Sequence, residues 1–293
     1  YNGRNTYALE MSEKYAKSRV AQSLAKCFFS IYYSHKLSLR QKSFLSRGFD
    51  YSDFTLGVLR SESEYRELYS LLNDDKSRYT LLCLLAYRLT GDFTLLHQES
   101  DFLFKQYFDN ILHLSDREVF VDCGGYVGDV TEKFIGRVPD FKKIYFYEPE
   151  LSNYSKAVDY FSEWDADDSD KLILRNCGVG RANTTLRFAS NADSSHVSDM
   201  GDTTVNVVSL DNDIEEPISF LKMDIEGFEI PALHGAQEHL STETPKLAIC
   251  VYHLPNDLWE IPQLITEINS NYKLYLRQYN AGFLPIESVI YAL

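Results

Sequence analysis

From Glu118 to Leu293 the sequence alternates short β-rich runs with helical segments, and that alternation restricts the fold more than any other feature. The runs are EVFVDC (118–123), KIYFYEP (143–149), KLILRNC (171–177), TVNVVSL (204–210), SFLKMDI (219–225), KLAICVYH (246–253), KLYLRQY (273–279) and ESVIYAL (287–293). Segments of helical or loop character separate most of them: VGDVTEKFIGRV, LSNYSKAVDYFSEW, EIPALHGAQEHL and WEIPQLITEINS. Strands joined by helical crossovers predict a parallel sheet covered on both faces. TTLRFAS and TVNVVSL follow the third run with no helix between, so a side hairpin or a sheet extension is expected there. The turn-like NAGFLP before the last run predicts an antiparallel ending. WDADDSD (164–170) reads as a solvated acidic loop, and no internal repeat is present.

Residues 1–115 have a different rhythm. SEYRELYSLLND places Tyr65, Leu68, Tyr69, Leu71 and Leu72 on one broad face, and RYTLLCLLAYRL repeats the pattern. Asn73-Asp74-Asp75 and Thr90-Gly91-Asp92 read as helix ends. The expectation is a helical N-terminal region over 1–115 and a catalytic α/β domain over 116–293. The tyrosines of FFSIYYSHKLS (28–38) are read as core or interface, a surface through which a homodimer would form.

Composition narrows the partners. The 29 basic and 43 acidic residues give a formal charge of −14, a field that repels polyanions, so no nucleic-acid partner is expected. The five cysteines (Cys27, Cys83, Cys123, Cys177, Cys250) are odd in number and form no CxxC pair. Neither a disulfide framework nor a zinc site is expected, and a reducing, cytoplasmic compartment is. No apolar run reaches the roughly 18 residues that span a bilayer; CFFSIYY (27–33) comes nearest. The sequence opens at Tyr1 without methionine or a signal-like segment, consistent with further residues upstream.

The first run ends at Asp122-Cys123 and meets Gly124, Gly125 and Gly128 at once. Gly124 and Gly125 permit positive φ and clear side chains from a ligand's path. The spacing D-C-G-G-Y-V-G is not the G-x-G-x-x-G of dinucleotide binders. The second run ends in Glu148-Pro149, about 20 residues on, where a carboxylate can accept hydrogen bonds from both hydroxyls of an adenosine ribose. A pyrophosphate asks for backbone N–H groups at a helix N-terminus. A ligand carrying an ammonium and a sulfonium asks for acids, and Asp122 followed by Asp129 suits it better. Asn176, Cys177 and Gly178, at the end of the third run, are read either as neighbours of an adenine ring or as an ordinary strand exit.

In order, FVDCGGYVGD, YFYEPE, NCGVG, VVSLDN, FLKMDIEGFEIPALHGA and ICVYH resemble the FkbM-type S-adenosylmethionine (SAM)-dependent methyltransferases, over roughly Glu118 to Leu293. LKMDIEGFEIPALHGA carries most of the specificity. The resemblance implies a Rossmann-like, class I methyltransferase sheet of seven strands, the last antiparallel. It also implies SAM as cofactor and methylation of a hydroxyl on a sugar, a glycan precursor or a related natural product.

Methyl transfer to oxygen needs an aligned acceptor and a destination for its proton. Asp224 ends the run SFLKMDI, with Glu226 two residues on, and His253 ends KLAICVYH. Neighbouring strands bring them to one rim. With an ordinary pKa of about 6.5, His253 is the expected base or relay. Asp224 and Glu226 are expected to orient the acceptor or the cofactor amine. A variant makes Asp224, Glu226 and His253 ligands of a divalent ion. Glu229 is equally readable as an acid favouring a helix N-terminus. Ser194, Ser195 and His196, in SNADSSHVSDMGD, are read as a closing loop or an exposed one; His234 and His239 are expected at the surface. Two rivals stand beside the methyltransferase: an NAD(P)-linked oxidoreductase and a non-catalytic binding module with the helical region as its docking surface.

Overall fold

The computed structural model describes residues 52–90, 96, 105–162, 169–191, 194–197, 203–279 and 287–293. The tyrosine-rich stretch 28–38, Cys27, most of the acidic loop 164–170 and the turn NAGFLP lie outside the described residues, as does any surface for a homodimer among residues 1–51.

Of the eight β-rich runs, TVNVVSL joins a second sheet and the other seven form the expected central one. Its strands are β1 (Val119–Cys123), β2 (Lys143–Tyr147), β3 (Leu172–Arg175), β8 (Phe220–Met223), β9 (Lys246–Cys250), β10 (Leu274–Gln278) and β11 (Ser288–Ala292), in the order β10-β11-β9-β8-β1-β2-β3. Strand β11 runs antiparallel to both neighbours; the other pairings are parallel. All five residues of β1 are buried. With both faces covered, a strand of this kind reads as a continuous apolar run and does not alternate. Val119, Val121 and Cys123 join the core on one face, and Phe120 joins the other. There Phe120 stacks against both Phe134 and Phe220, with ring centroids 4.3 and 4.9 Å away. Each fully buried ring contributes about 1.5–3 kcal/mol.

Between strands the chain crosses through α4 (Asp129–Ile135), α5 (Leu151–Phe161), α6 (Leu210–Asp213), α7 (Glu229–His234), α8 (Gln237–Thr242) and α9 (Asp257–Ile268). The segment after β3 becomes a separate four-stranded sheet instead of a simple hairpin. It has the order β4-β7-β5-β6, from β4 (Gly178–Val179), β5 (Thr184–Asn191), β6 (Ser194–Val197) and β7 (Thr203–Val208). Four-residue β6 pairs with β5 antiparallel, so Ser194, Ser195 and His196 belong to a strand. His239 corrects the expectation of a surface residue: it is buried, with Nδ1 2.9 Å from Glu243 Oε2 on the next turn of helix.

Three helices precede the sheet in the chain: α1 (Ser52–Arg60), α2 (Glu62–Leu71) and α3 (Asp75–Thr90). The third and the link Leu72–Asp74 before it lie along β10, whose outer edge would otherwise offer unpaired backbone groups. Asn73 N–H donates to the Leu274 carbonyl (2.8 Å), and Leu276 N–H donates to Ser77 Oγ (2.9 Å). The buried Arg277 guanidinium reaches Asp74 Oδ2 at 2.6 Å and Ser77 Oγ at 2.8 Å. Leu68, Leu72, Leu81, Leu84 and Tyr87 share one core with Leu274 and Leu276.

Candidate active site

At the carboxyl end of β1 the chain turns with little room. Gly124 has φ +77°, and a Cβ there would lie 1.9 Å from the Asp224 carbonyl oxygen. At Gly125 a Cβ would meet the Phe146 ring at 2.0 Å. Gly124 and Gly125 N–H both donate to the Tyr147 carbonyl, which ties the loop to the end of β2. Gly128, at φ +97°, caps the start of α4. These glycines serve close approach of strand to strand and helix to sheet as much as clearance for a ligand.

Asp122 is placed differently from the expectation of an open acid. It is fully buried; Oδ1 pairs with Lys222 Nζ at 3.0 Å, and Oδ2 accepts from Thr131 Oγ1 at 2.7 Å. The partner is the residue in register on neighbouring β8. The Lys222 ammonium also donates to the carbonyls of Gly124 (2.7 Å) and Cys123 (3.3 Å). Burial pulls its pKa down, but Asp122 and Asp224 pull harder, so the net shift is upward. Asp129 stands exposed at the first turn of α4, 3.4 Å from Lys133.

Glu148 lies where the sequence put it, at the end of β2 and against the glycine loop. Its Oε2 accepts from Tyr126 N–H (2.9 Å) and its Oε1 from Glu150 N–H (2.8 Å). Burial pushes its carboxyl up to about 7 in spite of those two donors. Asn176 turns its amide to the carbonyls of Glu148 (2.9 Å) and Pro149 (3.2 Å), which braces the exit of β2. Cys177 is buried, its thiol pushed up to about 11 by desolvation, then by Asp213. Gly178 opens β4 beside Val207. Cys123, Cys177 and Cys250 are free, buried thiols, and Cys83 is buried as well.

On the other side of β1, the ends of β8 and β9 bring Asp224, Glu226 and His253 together as expected, and add Glu229. His253 Nε2 is 3.2 Å from Asp224 Oδ1 and 3.8 Å from Glu226 Oε2, while Nδ1 is 3.0 Å from Glu229 Oε1. Both ring nitrogens therefore face carboxylates. Burial alone would lower the imidazole pKa; Asp224 and Glu229 overcome it and lift the group to about 11. The ordinary value expected from sequence does not survive this surrounding, and in the free protein His253 is a proton donor. Asp224, though buried enough to favour its neutral form, is held far below the usual carboxylate range by His253 and Lys222.

Two tyrosines complete the rim, and neither stands out in the sequence. Tyr107 OH donates to Asp224 Oδ2 (2.7 Å) and Tyr252 OH to Asp224 Oδ1 (3.1 Å). Tyr107 comes from 117 residues upstream, so only folding reveals it; Tyr252 adjoins His253, which was the available hint. Glu226 is the outlier of the cluster. Its side chain is 62% exposed, and its φ of +57° is followed by +90° at Gly227. Phe228 N–H closes that turn on the Ile225 carbonyl at 3.2 Å. Two successive positive φ values suit Gly and Asn; a Glu in the first place is strained, the kind of cost that concentrates at functional sites. Its carboxyl is shifted upward, by desolvation first; His253 lowers it and Asp224 raises it. Arg88, buried at the end of α3, donates to the Pro255 carbonyl at 2.9 Å and so steadies the turn after His253.

Residues 122–280 match the family described as Methyltransferase FkbM domain. A solved structure of methyltransferase FkbM from Methylobacillus flagellatus is similar, with 27% sequence identity and a TM-score of 0.74. That match covers 84% of this chain and 62% of the other, so the chain spans less than two thirds of its relative's length. An rRNA methylase from Streptococcus thermophilus is 16% identical, with a TM-score of 0.40 over 61% of this chain and 87% of its own. Nothing about substrate follows from likeness at that level. No curated protein matches the sequence.

Proposed function

The chain belongs to the methyltransferase FkbM family, and on that premise we propose that it carries a methyl group from SAM to a hydroxyl oxygen of a sugar, a glycan precursor or a related natural product. Membership sets aside the oxidoreductase reading. The observation that carries the cofactor assignment is Glu148, a buried carboxylate between the glycine loop and β2. Each of its oxygens accepts one backbone N–H and keeps another lone pair, enough for the two hydroxyls of a ribose. Glu148 and the loop Gly124–Gly128 would hold the nucleoside, with Pro149 and the exit Asn176–Gly178 beside the base. When bound, SAM supplies an electrophilic methyl carbon and leaves as a neutral thioether.

The remaining work falls to the rim. Asp224, fixed by two tyrosine hydroxyls and His253, is an acceptor for a hydroxyl of the incoming substrate. Both ring nitrogens of His253 face carboxylates and Glu229 is buried, so Glu226 is the group left to take the hydroxyl proton. It projects into solvent from a strained turn, with a carboxyl whose pKa is raised.

Calorimetry tests the cofactor half. S-adenosylhomocysteine, the demethylated product, binds the wild type, and Glu148→Ala weakens it at least about tenfold through loss of charge-assisted hydrogen bonds. Equal affinity in the variant removes the ribose assignment. Because Glu148 ionises near pH 7, wild-type affinity is high above that pH and falls as pH drops through it. Glu148→Gln flattens this profile. For the proton, Glu226→Gln lowers turnover on an acceptor found by screening hydroxylated compounds by about a hundredfold, with product affinity kept within about twofold. Unchanged turnover assigns the proton elsewhere.

A further inference from the structure

Asp224, Glu229 and His253 each offer one ligand atom, and these atoms lie within 4.8 Å of one another. Sequence spacing had suggested a set with Glu226 in place of Glu229; the fold brings in Glu229, at the first turn of α7. Two further observations separate this cluster from a chance gathering of acids. Glu229 is 1% exposed, yet its Oε2 makes no hydrogen bond, an unsatisfied carboxylate oxygen inside the protein. A buried acceptor left without a partner is costly and asks for an explanation, an ion among them. The ligand side chains are also oriented from behind: Tyr107 and Tyr252 hold Asp224, and Ile225 N–H donates to Glu229 Oε1 at 2.9 Å. Outer hydrogen bonds of this kind fix the first ring of ligands at metal centres.

We propose that Asp224, Glu229 and His253 form a divalent-cation site, the ion taking the place of the imidazole proton as it binds. Two carboxylates and one imidazole are a hard-to-borderline donor set, suited to Mn2+ or Mg2+ and adaptable to Zn2+ or Fe2+. Asp224 is 26% exposed, so the cluster reaches solvent and leaves coordination positions for an oxygen ligand from solvent or acceptor. There the cation lowers the pKa of the acceptor hydroxyl; the proton passes to Glu226, and the oxygen forms its bond to the methyl carbon as the C–S pair returns to sulfur. That role rests on the methyl-transfer reading. Cation binding does not.

Mn2+ titrated into the ligand-free protein provides the test, read by the loss of the free-ion electron paramagnetic resonance signal. One Mn2+ binds per chain, and pulsed spectra of the bound ion show nitrogen modulation from one imidazole. Glu229→Gln and Asp224→Asn, with unchanged circular dichroism, weaken binding at least about tenfold, whereas Glu226→Gln stays within about twofold. Absence of stoichiometric binding, absence of nitrogen coupling in the wild type, or wild-type affinity in Glu229→Gln overturns the site. The wild-type nitrogen signal decides the matter even where a variant fails to fold. Calorimetry with S-adenosylhomocysteine in the absence of metal runs alongside: binding there with no Mn2+ site removes the cation alone, and the reverse pattern removes the cofactor reading alone.

Discussion

Lys222→Met is expected to destabilise the protein by about 3–5 kcal/mol, the cost of breaking a buried ion pair and stranding its partner. Lys222 and Asp122 are both essentially inaccessible, their charged atoms 3.0 Å apart across the β1–β8 pairing. With the ammonium gone, Asp122 keeps only the Thr131 hydroxyl, and the carbonyls of Cys123 and Gly124 lose a common donor. Methionine fills the space but supplies no hydrogen. The urea midpoint measures the loss. Adding Asp122→Asn to Lys222→Met is expected to recover at least about 1 kcal/mol, since the stranded charge is then gone. A single variant within about 0.5 kcal/mol of the wild type would show that the pair contributes no net stability.

Gly124→Ala is expected to cost about 4 kcal/mol or more, a magnitude reserved for named steric or electrostatic faults. Its φ of +77° alone disfavours a side chain, and the added Cβ would sit 1.9 Å from the Asp224 carbonyl oxygen. The two nearest atoms both belong to the Asp224 backbone, so no flexible side chain can give way. The exits of β1 and β8 would have to part, displacing the glycine loop and the acid rim together. Where the variant still folds, affinity for S-adenosylhomocysteine falls with it. Gly136→Ala is the control. That residue is at φ −62°, and a methyl group added there would find its nearest atoms at 3.7 and 3.8 Å. Alanine at that position is expected to be neutral or stabilising by up to about 1 kcal/mol. Equal behaviour of the two glycine variants would falsify the close-approach argument.

The central parallel sheet was legible because a strand buried on both faces has an unmistakable composition and each crossover helix its own period; the count of seven strands came from the family resemblance. The antiparallel ending at β11 was legible for a similar reason, since a short turn-like link leaves no length for a crossover. The small sheet β4-β7-β5-β6 was only half legible. Its strands showed in composition, but the choice between joining the main sheet and forming a second one depends on edges already occupied, and local residues do not record that. Lys222 carries a quieter sign: a lysine inside the apolar run SFLKM must be paired or pointed out, and here it is paired.

The site divides along the same line. Glycine spacing and the position of Glu148 at a strand end were written in the chain, because backbone freedom and strand termini are local properties. The protonation of His253, the closure of Asp122 against Lys222, the approach of Tyr107 and the recruitment of Glu229 were decided only by tertiary structure. Charge and burial at a point are sums over neighbours from distant segments, and an imidazole between two carboxylates is a different acid from the same imidazole in water.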